Sequence, residues 1–317
     1  MARDRGRRGI PNAMTRGIEV PTYIKRYSRV VLRKVPVVGG YLRKRAERGR
    51  FRVELDLIKG THRNENKHPS IIHFSLHKAA TQYTKSILRR CASENGMTPV
   101  FLPDYGFNTK FPYLDLLSAA EMEKYQHIFK PAGYLYSVFG GMIEGVPELE
   151  QYILVFIVRD PRDLLVSEYY SLAYSHGVPD KRGDKYEQFL KLRRAAQSMT
   201  IDDHVVARCE NTYEVLHRYK TLLMDRYPKV HITRYEDMTA DFRSWLRDLL
   251  DSCRLEISRE LLQSLLEESE RLRPKEEDIR RHIRKGRPGD YKEKLRAETI
   301  DYLNGRLSPM LEVFGYQ

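Results

Sequence analysis

A lysine beside small and hydroxyl-bearing residues, in the run His77-Lys78-Ala79-Ala80-Thr81-Gln82-Tyr83, is suited to grip an anion. Lys78 supplies a point charge, Ala79 and Ala80 let an oxyanion approach the backbone, and Thr81 and Gln82 add side-chain donors. A second group lies at Arg159, which ends an apolar run, with Ser167 eight residues further on. A guanidinium clamps phosphate through paired N–H groups, and the end of a strand in an open α/β sheet faces its ligand crevice. The third group is "IRKGRPGDYK", residues 283–292: two glycines, one proline and four bases make a poor helix and a good anion-wrapping loop. Each group has a plainer reading: a strand–helix junction, an Arg159–Asp163 ion pair, a solvated charge run. Arg162 and Asp163 are expected to hold their loop rather than touch a ligand.

The elements that must position these residues alternate. "SIIHFSL" (70–76) reads as a buried strand and "ATQYTKSILRRCASENG" as a helix with Tyr83, Ile87, Leu88 and Cys91 on one face and Gly96 as its stop. "TPVFLPD" (98–104) reads as a strand, "SAAEMEKYQHIF" as helical and "AGYLYSVFG" as a further strand. "QYILVFIVRD" has six consecutive apolar residues, many β-branched, the pattern of a central parallel strand. "PRDLLVSEYYSLAYSHG" follows as a helix with Pro161 in its first turn, and a Thr200–Asp203 cap signal opens a long helix. "KVHITRYED" reads as a short strand, followed by helices near 240–251, 258–270 and 291–305. This alternation predicts an α/β fold with a central parallel β-sheet flanked by helices.

Charge separates the body from an arm. Residues 1–52 hold 16 Lys/Arg against 3 Asp/Glu, which accounts for the whole net charge of +13 in 317 residues. A nucleic-acid role for the body is therefore not expected. The Arg/Gly-rich composition predicts a disordered segment over 1–20, and the spacing of apolar and basic residues a basic amphipathic stretch over 20–50. The latter suits an anionic membrane surface or an acidic partner, or else a solvated arm packing on the domain. The expected division is an arm over 1–60 and a domain over 61–317. No run of 18 apolar residues and no apolar signal region occur, and Cys91, Cys209 and Cys253 form no metal or disulfide pattern. A cytoplasmic protein, with peripheral membrane contact through 20–50, is the expectation.

The ATP-binding loop GxxxxGK[ST] places its lysine after glycines; here the lysine precedes the turn and both glycines are absent. The three groups, in their order, instead resemble the sulfotransferases that use 3′-phosphoadenosine 5′-phosphosulfate (PAPS). Lys78–Tyr83 is similar to that family's 5′-phosphosulfate loop, a Lys-Ser-Gly-Thr-Thr-Trp-like run. "VRDPRDLLVSEYYS" is similar to its 3′-phosphate motif, "RYEDM" (234–238) to a short motif on a late strand, and "RKGRPGDYK" to its C-terminal loop. The resemblance spans about residues 70–317 and implies the P-loop-NTPase-like sulfotransferase architecture. It implies PAPS as co-substrate, 3′,5′-adenosine bisphosphate (PAP) as product and no metal.

Carried over by position, the resemblance gives Lys78, with Ala79, Ala80, Thr81 and Gln82, to the 5′-phosphosulfate. It gives Tyr83 and Tyr235 to the adenine, and Arg159, Ser167, Arg284, Lys285 and Gly286 to the 3′-phosphate. Two departures stand out. Ala79–Ala80 replace the usual Ser-Gly, and "GYLYSVFGG" has no histidine where many cytosolic members carry a Lys-Thr-His run whose histidine is the base. Asp104, read as ending the second strand on the sheet edge of Lys78, is the first candidate for the base; His77 and Glu144 follow, and His73 is expected in the core. The acceptor class stays open between a small molecule, a carbohydrate and a lipid, with 104–150 and 176–200 expected to line its pocket. The alternatives are a kinase-like phosphotransferase and a non-catalytic anion- or nucleic-acid-binding protein led by the basic arm.

Overall fold

The strand with the most apolar sequence, Ile153–Val158, lies beside the central strand of the sheet. In the computed structural model, which describes residues 49–179, 184–274, 276–281 and 283–316, five parallel strands run in the order β2-β3-β1-β4-β5. They are β1 (Ile71–Ser75), β2 (Thr98–Val100), β3 (Tyr134–Phe139), β4 (Ile153–Val158) and β5 (His231–Arg234). Every residue of β1 is buried, and so are five of the six in β4. Helices cover both faces of such a strand, so neither face needs polar residues. Residues 1–48, and with them the expected disordered segment and nearly all of the expected amphipathic stretch, lie outside the described residues; of the arm expected over 1–60, residues 49–60 are described, and Val53–Gln317 group into one unit.

The described α-helices are α1 (Arg52–Ile58), α2 (Thr81–Glu94), α3 (Leu102–Asn108), α4 (Ala119–Met122), α5 (Pro161–Tyr170) and α6 (Asp184–Gln197). They continue with α7 (Ile201–Tyr219), α8 (Tyr235–Ala240), α9 (Phe242–Cys253), α10 (Arg259–Leu272), α11 (Tyr291–Lys294) and α12 (Ala297–Val313). Helix α2 buries Thr84, Ile87, Leu88, Cys91 and Ala92, the i, i+3, i+4 stripe of an amphipathic helix. It stops where Gly96, at φ 69, lets the Met97 N–H reach back to Ala92 O at 2.9 Å. At the start of α7, Thr200 Oγ1 accepts from Asp203 N–H at 3.1 Å, as the cap signal predicts. Helix α5 is opened by Asp160, whose carboxylate accepts from Arg162 N–H at 2.9 Å, with Pro161 in the first turn.

His73 is a core residue. Its Nδ1 lies 2.9 Å from Ser137 Oγ of β3, and burial, with the Lys85 charge adding to it, pushes its pKa down to about 3, so the ring is neutral.

The second strand is shorter than the sequence reading has it. β2 stops at Val100, and Asp104 belongs to the first turn of α3 rather than to a strand end. Pro103 explains the difference: it has no N–H for a sheet ladder and fits the first turn of a helix. "KVHITRYED" likewise pairs only over His231–Arg234, and Tyr235 begins α8. The helical reading near 291–305 divides into α11 and α12. Among the described residues no helix is long and apolar enough to cross a membrane, and no group of three or more His, Cys, Asp or Glu is placed to hold a metal ion.

Because all five strands are parallel, their C-terminal ends share one edge. The chain leaves β1 for one side of the sheet and returns to the other side at β4, so the order reverses around β1. Such a reversal opens a crevice outside the strand ends. The segments leaving β1, β3, β4 and β5 there begin at Leu76, Gly140, Arg159 and Tyr235.

Candidate active site

The turn after β1 is built for exposed donors. Thr81, first residue of α2, ties the helix back to the strand: its hydroxyl donates to Leu76 O at 3.0 Å and meets Ser75 Oγ at 3.2 Å. Ala79 N–H donates to Leu76 O at 3.1 Å. The backbone N–H groups of Lys78, Ala80, Thr81 and Gln82 have no acceptor among the described residues. Lys78 and Ala80 are left-handed, at φ 70 and φ 55. Successive N–H groups through such a turn form an anion nest, and the N-terminal end of the helix dipole adds to it.

The left-handed conformation costs an L-residue about 1–2 kcal/mol, so the turn is strained at the position where the resemblance calls for glycine. Relief of that strain in Ala80→Gly is offset by about 0.5–1 kcal/mol of extra chain entropy in the unfolded state. Ala80→Gly is therefore expected to shift stability by no more than about 1 kcal/mol. Ala80→Val, β-branched at positive φ, loses about 1–3 kcal/mol. Urea midpoints of the two variants check the contrast.

Arg159 joins the turn to the rest of the crevice. It is 7% exposed, its Nη1 donates to Lys78 O at 3.0 Å, its Nη2 lies 3.6 Å from Asp163 Oδ2, and its Cζ sits 4.4 Å over the Tyr235 ring. Its Nε is buried without a partner. Lys78 is thereby crowded by positive charge: burial, then Arg159, push its pKa down to about 8, with Arg284 adding to this and Glu168 opposing. Three cations thus share one field at the sheet edge.

The C-terminal loop is strapped onto this edge through Asp163. That fully buried carboxylate accepts from Gly289 N–H at 2.7 Å and from Tyr291 N–H at 3.0 Å. Arg162 packs its guanidinium 4.3 Å over the Tyr291 ring and donates to Asn304 Oδ1 at 2.7 Å. Arg284 lies 4.3 Å over the Tyr170 ring, one turn beyond Ser167 on α5, and bonds to Glu277 and Asp290. Lys285 donates to Asp290 at 3.2 Å and to Glu293 at 2.6 Å. Gly286, at φ 64, is needed for close approach, since a Cβ there would meet Pro274 Cδ at 2.8 Å.

Lys78, Arg159 and Arg284 are brought together; the other candidates are arranged around them. Ser167 is half-buried on α5, and Gln82 is exposed at the start of α2. Tyr83 stacks on Phe242 of α9 with centroids 5.9 Å apart, its hydroxyl buried without a partner, while Tyr235 lies beneath Arg159. Asp104 is held by Lys85 Nζ at 2.7 Å, and Glu144 by Arg218 at 2.8 Å. His77 is exposed, and its ring lies against Gly140, the first residue after β3. Tyr170, the platform for Arg284, escapes sequence reasoning; its only signal is its place three residues after Ser167.

A sequence model of the sulfotransferase domain matches residues 150–310, just over half of the chain, from β4 through the strap. No curated protein matches the chain. Among solved structures the chain is similar to a mouse sulfotransferase complexed with PAP, at 15% identity over 81% of this chain and 89% of that one, with a TM-score of 0.46. It is also similar to a retinol dehydratase in complex with retinol and PAP, at 14% identity over 84% and 87% of the two chains, with a TM-score of 0.44.

Proposed function

The chain belongs to the sulfotransferase family, and from that premise we propose that it moves a sulfuryl group from PAPS to a hydroxyl or amine acceptor, leaving PAP. The observation that carries the donor is the Lys78–Arg159 link. The backbone carbonyl of the nest's lysine accepts from the buried arginine that follows β4, so the guanidinium is tied to the turn that carries the lysine. The residues present suit a nucleotide that is anionic at two ends. Unpaired N–H groups in the 78–82 turn fit one anion, and Arg159, with its unpartnered Nε, fits the other beside Ser167 and Arg284.

PAPS supplies an activated sulfuryl group on a phosphate leaving group. Transfer demands an acceptor oxygen or nitrogen in line with that leaving oxygen, stabilisation of the charge that develops on it, and a destination for the acceptor proton. Lys78 is assigned to the leaving group, where an ammonium offsets the charge released. The N–H groups of Ala80, Thr81 and Gln82 orient the sulfuryl end. Arg159, Ser167 and Arg284 fix the 3′-phosphate, and Tyr83 and Tyr235 are assigned to the flanks of the base. Arg284 then exchanges Glu277 and Asp290 for phosphate oxygens, with Gly286 and Lys285 keeping the strap in shape.

The depressed pKa of Lys78 gives this reading a pH signature. A group near 8 is protonated below that pH and loses its charge above it. An anion binds the protonated form, so affinity falls as pH rises through about 8. Phosphate gains its second charge near pH ~6, so affinity for PAP is expected to peak between about 6 and 8. Calorimetric titration of the folded protein with PAP across pH 5–10 tests both points. No measurable binding at the peak, or tighter binding of ATP than of PAP, would sink the proposal; the latter would point to a kinase-like enzyme.

A further inference from the structure

The acceptor proton needs a destination, and the carboxylates near the strand ends are already engaged. Asp104 is bonded at 2.7 Å to Lys85, and Glu144 at 2.8 Å to Arg218. Asp115 accepts from Gly141 N–H at 2.9 Å, holding the loop that leaves β3. His77 is different: exposed, beside Lys78 in sequence, and with no hydrogen bond or ion pair among the described residues. Because β1 ends at Ser75, strand alternation no longer governs where its ring goes. The ring has turned toward β3, against Gly140. A Cβ built on Gly140 would lie 2.7 Å from His77 Nε2 and 2.9 Å from Cε1, closer than real contacts allow. The imidazole therefore fills the space that any side chain at position 140 would take.

We propose that His77 accepts the acceptor proton and that Gly140 is the positioning residue that seats its ring. The inference rests on the sulfuryl-transfer reading. The acceptor oxygen forms the new bond to sulfur as the bond between sulfur and the bridging phosphate oxygen breaks. The electron pair of that bond leaves with PAP beside Lys78, and the acceptor proton passes to the imidazole and then to solvent. A positioned imidazole is the side chain that most often serves as general base.

The test uses labelled PAPS with water as the acceptor, reading sulfate release, together with the Kd for PAP. His77→Gln is expected to lower turnover about 100-fold while the Kd for PAP stays within threefold. Gly140→Ala, which evicts the ring, is expected to lower it comparably. The double variant should be no worse than either single one, because both remove the same placed group. Free imidazole should restore part of the turnover of His77→Ala. Undiminished turnover in His77→Gln, additive losses in the double variant, or a larger loss in Asp104→Asn than in His77→Gln would overturn the assignment. Wild-type protein that binds PAP and turns over PAPS isolates these outcomes from the parent reading. Wild type that does neither removes both readings together.

Discussion

Replacing Lys78 with methionine is expected to lower sulfuryl turnover about 10³-fold or more while leaving the fold intact. The size follows from what the ammonium is assigned to do. A cation placed on the charge that develops during phosphoryl-type transfer is worth about 10³–10⁵ in rate. A single preorganised neutral donor is worth about 10²–10³. Methionine keeps an unbranched side chain of similar length and pays the same penalty at φ 70, so the backbone of the turn is not disturbed. The bond from Arg159 also survives, because it goes to the carbonyl of residue 78. The substitution therefore isolates the charge. Sulfate release from labelled PAPS gives the rate, and the urea midpoint verifies the fold. A variant within tenfold of wild-type turnover would remove Lys78 from the leaving group. The same variant should lose the decline in PAP affinity above pH 8, because that decline is ascribed to this ammonium.

The second large effect is expected from Arg159→Ala, and it should appear in both binding and stability. The guanidinium is buried and is shared among Lys78 O, Asp163 and the Tyr235 ring. Truncating one member of a buried, hydrogen-bonded charge pair costs about 2–5 kcal/mol in binding, so the Kd for PAP is expected to rise about 10²–10³-fold. The fold suffers for a separate reason. Asp163 is left fully buried without its cation, a loss of about 3–5 kcal/mol in general. The two N–H bonds from the strap remain to Asp163 and hold the cost toward the lower end. Against a typical total of about 5–15 kcal/mol this is a large fraction. Arg159→Lys separates the two effects: it restores a charge near Asp163 but not the fork that spans three partners. Stability should recover more than affinity does. Full recovery of affinity in the lysine variant would remove the bidentate role of Arg159.

How much of this was legible beforehand depends on how far apart the determinants lie. The stripe of α2, the Gly96 stop and the Thr200 cap are set within one or two helical turns, and each appears where its pattern predicts. The six-residue apolar run of β4 foretells a central strand, because only strands covered on both faces dispense with polar residues. Asp104 shows where local reading fails. Reading "TPVFLPD" as one strand puts Asp104 at a strand end, whereas Pro103 favours a helix start and Lys85 takes the carboxylate. The seat of His77 is not readable locally, because β1 ends at Ser75 and the period-2 alternation of a strand no longer places side chains beyond it.

The sequence by itself determined most of the elements, the central sheet and the three candidate anion-binding groups, because short-range sterics, caps and hydrophobic pattern suffice for these. It also determined the family resemblance, since the motifs keep their order whatever the packing. Only the tertiary structure decided which groups meet. Arg159 reaches a carbonyl 81 residues away, Asp163 ties amides 126 and 128 residues away, and His77 seats itself on the glycine that follows the neighbouring strand. Those meetings depend on strand order and on the left-handed turn at Lys78 and Ala80, and a local pattern encodes neither.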